Sequence, residues 1–294
     1  MGIGARQERT WVVRGTSLAV AAILSWVGAG TAHAQTEYIS ECVAAAVTQA
    51  QGAGDYSGYG MASNSFCLLG GWISQGQNLQ YTMTVQEGHS YLFVGSGDRD
   101  VKDLDLSVSD GSATVEDTET DNTPFVHIQA EGTVEITITL TNYTGSGQPD
   151  FCCMIILEDE GPQANINSLN QAAVGLCELI NTVANEWETD KAADGSAWCL
   201  MGGLMATGSQ VGVSRAFSPG TYILVGWGDT RAGDVDASIQ NGDGEEVAAD
   251  TETDNRPVVP FEVSGKTPLR GTLNLKMHQA KGNAFAVCAV LKQK

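Results

Sequence analysis

Basic side chains are scarce in this sequence. Fifteen Lys and Arg stand against thirty-five Asp and Glu, a formal net charge of −20. A surface so short of positive charge repels phosphate backbones and anionic bilayers, which argues against nucleic-acid and membrane-surface partners. Histidine is also sparse: His33, His89, His127 and His278 each stand alone. There is no C-x-x-C pair and no His/Cys cluster with zinc-ligand spacing, so a structural zinc site is not expected. No serine lies in G-x-S-x-G, and the carboxylates fall on hairpin-like loops rather than around an aromatic groove. Without those site elements a non-enzymatic chain is expected. No segment beyond residue 34 is apolar enough to span a bilayer, which takes about 20 residues, so no membrane span is expected.

The first thirty-four residues have a recognisable order. Arg6, Arg9 and Arg14 precede an apolar run from Leu18 to Val27, and small residues then lead to Ala32-His33-Ala34. This is the charge, core and A-x-A order of a secretory signal peptide. Cleavage after Ala34 is expected to leave a mature chain that begins at Gln35, in the periplasm or outside the cell. Cys42 lies well past that site, which argues against a lipoprotein anchor. The mature chain carries −22. Residues 35–160 hold nineteen acidic residues against only Arg99 and Lys102. Seven cysteines in an exported chain are read first as disulfide material.

The chain repeats itself, which sets the fold reading. Phe66-Cys67-Leu68-Leu69-Gly70-Gly71 returns as Trp198-Cys199-Leu200-Met201-Gly202-Gly203. The run from Tyr91 to Asp98 returns as Tyr222 to Asp229, and Asp117 to Asn122 recurs identically at Asp250 to Asn255. Phe151-Cys152-Cys153 matches Phe285 to Cys288. The order and the near-constant shift place one copy in residues 35–160 and the second in 161–294, each the size of a normal domain. Leu79, Tyr81, Met83 and Val85 alternate, as do Val134, Ile136, Ile138 and Leu140; short runs at 90–95, 104–108 and 125–129 lie between turn residues. This spacing predicts seven or eight strands per copy: a mainly β chain of two tandem antiparallel β-sandwich domains, jelly-roll-like, each preceded by a short helix. The helices are marked by Ile39, Val43, Ala46 and Ala50, and by Leu169, Ala173, Leu176, Ile180 and Val183. Ser168 with Gln171 reads as a capping box. Glu158 to Asn165 reads as the interdomain linker, and Gln51–Gly60 and Ala192–Gly195 as links into the sandwiches.

The motif order in each copy resembles the bacterial pre-peptidase C-terminal domain. The matching residues are the aromatic strand ending in Gly-x-Gly-Asp, then Asp103 to Val108, or Asp234 to Ile239 in the second copy. The Asp-Thr-Glu-Thr-Asp-Asn segment with its proline and a final alternating strand complete the set. The resemblance implies a β-sandwich of jelly-roll type, a setting beside secreted proteases, and in some members calcium or polymer binding. This chain has no catalytic domain, so no protease function carries over.

The repeated acidic loops are the candidate sites. Asp98, Asp103 and Asp105, with Asp100 beside them, crowd one loop and strand start; Asp229, Asp234 and Asp236 duplicate them. Calcium takes six to eight oxygens, mostly carboxylate and carbonyl. One Ca2+ per copy is the expectation, with a solvated acidic turn as the alternative. Asp117, Glu119 and Asp121, if extended, would line one face and could add ligands. Disulfides are expected within copies, with Cys67–Cys153 and Cys199–Cys288 preferred among several possible pairings. The functional expectation is an exported binding or structural module, with an envelope or extracellular polymer or protein as partner. A secreted hydrolase, or an accessory subunit of one, is the alternative. An exposed aromatic patch around Trp72 or Trp227 would favour binding.

Overall fold

A computed structural model describes residues 11–12, 32–52, 58–62, 65–187, 189–190 and 197–293. Apart from 11–12 and 32–34, the expected signal segment lies outside the described residues, as do 53–57 and the link at 192–195. In chain order the elements open with β1 (Trp11–Val12), α1 (Ala32–Gly52), β2 (Tyr59–Met61), β3 (Leu68–Ile73), β4 (Gln77–Val85) and β5 (Ser90–Gly97). Then follow β6 (Asp103–Ser109), β7 (Thr114–Asp117), β8 (Phe125–Gln129), β9 (Val134–Thr144), β10 (Asp150–Asp159) and α2 (Ile166–Trp187). The second copy continues with β11 (Thr189–Asp190), β12 (Leu200–Met205), β13 (Gln210–Phe217), β14 (Gly220–Gly228) and β15 (Ala232–Asn241). It ends with β16 (Glu246–Asp250), β17 (Val258–Val263), β18 (Leu269–Ala280) and β19 (Ala284–Gln293).

The chain is mainly β, and the described strand pairs are antiparallel. Two four-stranded sheets, β4-β9-β6-β7 and β13-β18-β15-β16, are duplicates of one another. Their strands alternate as the sequence predicts: Leu79 and Val85 are buried, while Gln80, Thr82 and Thr84 are exposed. The third sheet is continuous across both copies, in the order β1-β17-β14-β19-β12-β3-β10-β5-β8. Its central strands β3, β10 and β12 are buried along nearly their whole length. Helices cover one face and the four-stranded sheets the other. That is why Leu68-Leu69-Gly70-Gly71-Trp72-Ile73 shows no polar alternation.

The copies meet where β3 pairs with β12, with Met201 opposite Leu69 and flanking pairs Leu200↔Gly70 and Gly202↔Leu68. Leu69 and Met201 are equivalent in the repeat, so the junction is a pseudo-twofold. The bonds Cys67 N to Gly202 O (2.8 Å) and Cys199 N to Gly70 O (2.9 Å) obey the same symmetry. The repeated Gly-Gly permits this approach. Across the junction a Cβ on Gly71 would sit 3.3 Å from Ala197 O, and one on Gly202 would sit 3.3 Å from Leu68 Cβ. The expected linker is accordingly shorter and tighter than the sequence suggests. Glu158 and Asp159 belong to β10, and Gly161 packs against Gly60.

The helices pair antiparallel over the central sheet, tied by Thr36 Oγ1 to Asn181 Oδ1 and by Gln51 Nε2 to Asn167 Oδ1, both 3.0 Å. Their buried faces follow the predicted spacing, with Ile39, Val43 and Ala46 on α1 and Leu169, Ala173, Leu176, Ile180 and Val183 on α2. The cap of α2 differs from expectation. Asn165, not Ser168, precedes the helix, and its Oδ1 accepts the N–H of Asn167 at 3.1 Å. An Asx side chain at that position satisfies a free N–H of the first turn, which Ser168, already inside the helix, cannot do.

Candidate functional site

The strand ending in Gly-x-Gly-Asp delivers Asp98 and Asp229 into the interior, not to solvent; both are buried. Asp98 Oδ2 accepts the N–H of Phe151 at 2.7 Å and Oδ1 that of Asp100 at 2.9 Å. Its own N–H donates to Phe151 O at 2.9 Å. Asp229 repeats the arrangement, accepting from Phe285 N (3.1 Å), Arg231 N (2.8 Å) and Ala232 N (3.2 Å). Each carboxylate thus clamps the end of one central strand to the start of its neighbour. These bonds satisfy N–H groups that would otherwise be buried without partners.

Asp103 and Asp105 begin β6, and Asp234 and Asp236 lie on β15; all four are half-buried. The six predicted ligands are therefore divided between an interior clamp and two strands of the outer sheets. Among the described residues, the group of three acidic side chains with oxygens within 4.8 Å of one another is Asp98, Asp100 and Asp150. Asp150 is held by Asn142 Nδ2 at 2.9 Å and by Ser146 Oγ and N. Burial raises the Asp98 pKa, and repulsion from Asp150 and Asp100 adds to it against the lowering effect of the Phe151 and Asp100 N–H groups. In the second copy Arg231 and Ala284 stand where Asp100 and Asp150 do, so the triad is not repeated. Asp150 was not singled out from sequence because only the β5–β10 pairing brings it to Asp98.

The identical Asp-Thr-Glu-Thr-Asp-Asn segments do not form an extended acidic face. Asp117 Oδ1 and Oδ2 accept the N–H groups of Glu119 (3.1 Å) and Phe125 (3.0 Å), and Asp250 does the same for Glu252 (3.0 Å) and Val258 (2.7 Å). Asp121 and Asp254 cap Thr123 and Arg256 N–H groups. The segment folds as consecutive Asx turns, because aspartate accepts from backbone N–H groups two residues on.

The outer sheet of the second copy carries a groove of ≈ 470 Å³, whose lining includes Asp234, Asp236, Asp250, Asn274, Lys276 and His278. On its floor His278 Nε2 lies 2.7 Å from Asp236 Oδ2. Asp234 Oδ1 is buried there with no hydrogen-bond partner among the described residues, as is Asp103 Oδ1 at the equivalent position. In the sequence His278 stands alone. The usable signal was the alternation Lys276-x-His278 on the last long strand, facing Asp234-x-Asp236. The β15–β18 register sets Asp236 opposite Lys276. By the same ladder the first copy has Thr141 and the exposed Tyr143, beside an Asp105 whose pKa is raised by burial and by repulsion from Asp103. The groove's ionic character therefore belongs to the second copy.

Trp72 is buried, edge-on to Tyr38 and Phe151. Trp227 lies between Gly175 of α2 and the guanidinium of Arg256, 4.3 Å from the ring centre. Neither forms an exposed aromatic patch. The seven cysteines are buried free thiols. Neither preferred disulfide pair is joined, and the copy correspondence of the last cysteines shifts by one. Cys153 pairs with Ser96 but Cys288 with Gly226, the equivalent of Gly95. Val287, not Cys288, is the counterpart of Cys153.

No family model and no curated protein matches the chain. Among solved structures it is similar to a conserved protein of unknown function from Pseudomonas aeruginosa PAO1, at 11% identity and a TM-score of 0.20 over 80% of this chain and 87% of that one. It is also similar to an uncharacterised protein from Burkholderia cenocepacia, at 9% identity and a TM-score of 0.22 over 87% of each chain. A third is the PBSX exported protein XepA, at 9% identity and a TM-score of 0.22 over 77% of this chain and 85% of that one. Likeness at these scores assigns neither a fold nor a function to this chain.

Proposed function

We propose that the chain is an exported, non-enzymatic binding module of two jelly-roll sandwiches akin to pre-peptidase C-terminal domains. Its ligand is a hydroxyl- or amine-bearing segment of an envelope or extracellular polymer, taken up in the outer groove of the second copy. The jelly-roll reading is supported by the strand order of each copy. Numbering the eight strands β3 to β10 from one, the sheets run 1-8-3-6 and 2-7-4-5, and the second copy repeats both. The binding reading is carried by the groove floor, where a carboxylate–imidazole pair lies beside the unpartnered oxygen of Asp234. Polar groups held half-buried without full partners are ready acceptors for ligand hydroxyl or ammonium donors. The test is co-sedimentation of the purified mature protein with insoluble cell-wall polysaccharide. Retention of the wild type, with at least tenfold weaker binding by Asp236→Asn, is expected, a loss of about 1.4 kcal/mol. Equal retention of wild type and variant would overturn the groove assignment.

For calcium, expected at one site per copy, we propose the first copy's cluster of Asp98, Asp100 and Asp150 as the one to test. A cation or a proton would relieve their mutual repulsion. Thermal unfolding with millimolar calcium against chelator separates the two: a rise in midpoint that Asp100→Asn abolishes identifies the cation. An unchanged midpoint leaves the proton.

A second reading, a structural spacer, is favoured by the covered positions of Trp72 and Trp227. It predicts no retention on any polymer and no change in stability on adding one.

A further inference from the structure

The seven thiols are not equivalent. Cys42 Sγ, on α1, lies 3.0 Å from Cys153 Sγ, on β10, and 3.1 Å from the carbonyl of Ser96. Among the described residues this is the one thiol–thiol contact. It follows from two periodicities. Ile39, Cys42, Val43 and Ala46 form the buried stripe of α1, and Cys153 is on the face of β10 that this stripe covers. Cys152, one residue earlier, points to the opposite face. In the second copy Cys177 holds the helix position of Cys42, but the ladder sets Val287 at the position of Cys153 and turns Cys288 away. The pair exists in the first copy alone.

We propose that Cys42 and Cys153 are a modification site at which a disulfide closes, fastening α1 to the central sheet. Two sulfurs in contact need only a small rotation to reach bonding distance, about 2.05 Å. The step is thiol–disulfide exchange with a disulfide oxidant of the oxidoreductase or glutathione class. One protein thiolate attacks the oxidant and releases its first sulfur as a thiol. The second protein thiolate then attacks the mixed disulfide, forming Cys42–Cys153 and releasing the other sulfur. The two protein thiol protons end on the two released thiols, and the oxidant is reduced by two electrons. Both thiols are wholly buried. Burial also pushes the Cys42 thiol well above its ordinary range, so little thiolate exists once α1 has docked. Exchange therefore runs while the chain folds, before the helix closes over β10. The bond spans 111 residues of chain, a long loop whose closure restricts the unfolded ensemble strongly.

This inference is independent of the binding reading, because its assay reads covalent state and not a ligand. The mature protein is unfolded with reductant, then refolded in a glutathione/glutathione disulfide buffer. Free thiols are blocked under denaturing conditions, and the protein is digested without reduction. A cross-linked peptide pair containing Cys42 and Cys153, about 2 Da below the summed reduced masses, is expected. The melting midpoint should rise by roughly 5–15 °C over the reduced protein. Cys153→Ala refolded in the same buffer should lose that rise. Recovery of Cys42 and Cys153 as blocked thiols, or either one joined to another cysteine, overturns the proposal; this mapping uses the wild type and needs no variant to fold.

Discussion

Asp98 and Asp229 do the same structural work in different electrostatic company. Removing either side chain leaves two backbone N–H groups without their acceptor, those of Phe151 and Asp100 or of Phe285 and Arg231, at roughly 1–3 kcal/mol each. Asp98 also sits against Asp100 and Asp150, and its raised pKa records that cost together with burial. Truncation relieves it. Asp229 has Arg231 and Ala284 in those places. Urea unfolding in chelator should therefore show Asp229→Ala destabilised by about 3–5 kcal/mol and Asp98→Ala by less. Equal losses would mean that repulsion in the triad is negligible. A second residue-scale expectation concerns His89, whose Nδ1 lies 3.0 Å from Asp159 Oδ1. Partial burial lowers its pKa, but the Asp159 hydrogen bonds and the charges of Asp159 and Glu158 outweigh it, and the net shift is upward. A base with a raised folded pKa contributes stability that is complete below the ordinary value near 6.5 and is lost as pH rises through the folded one. The wild type should lose midpoint relative to His89→Ala as pH is taken upward from 6.5; parallel profiles would contradict this. Charge was legible in the sequence at all of these positions. The distant partners were not, because Phe151 and Phe285, which donate to Asp98 and Asp229, and Asp159, which faces His89, lie on strands more than 50 residues away.

At the scale of elements the sequence spoke most clearly where one face is wet. The alternating strands β4, β6 and β9 and the two helix stripes fall where period 2 and period 3.6 place them. Strands β3, β10 and β12, covered on both faces, offered no period to read, and Cys153 was aligned with Cys288 for that reason. One position in α2 shows packing overriding local preference. Gly175 lies mid-helix, where alanine is favoured by about 1 kcal/mol. A Cβ there would lie 2.3 Å from Trp227 Cε2 and 2.4 Å from Nε1. The indole is held from its other side by Arg256 and cannot retreat freely. Overpacking costs about 1–3 kcal/mol, more than the helix gains. Gly175→Ala should lower stability by about 1–2 kcal/mol and alter tryptophan fluorescence; a stabilised variant would show that the helix can lift off the sheet without penalty.

The whole molecule is organised by one sheet rather than by two beads on a linker. The repeat was plain in the sequence, and so was the size of each copy. Their fusion was not, because the β3–β12 ladder is made by backbone groups of two apolar strands, and no side-chain pattern distinguishes a strand that ends a sheet from one that continues into a neighbour. The Gly-Gly motif that permits the approach was visible only as a repeated feature. Cleavage after Ala34 would remove β1 and leave β17 as that end of the sheet, but would not touch the junction. The junction has a thermodynamic consequence. Beads joined by a tether unfold separately, with two heat-absorption peaks or one broadened one. Here Trp198 Nε1 donates across the boundary to Gln80 O at 2.6 Å, the helices pair across it, and loss of one copy would leave β3 or β12 in the other an unpaired edge. Calorimetry of the mature protein should give a single transition whose calorimetric and van't Hoff enthalpies agree, with tryptophan fluorescence and far-ultraviolet circular dichroism melting together. Two resolved transitions would show that the copies are energetically independent despite the shared sheet.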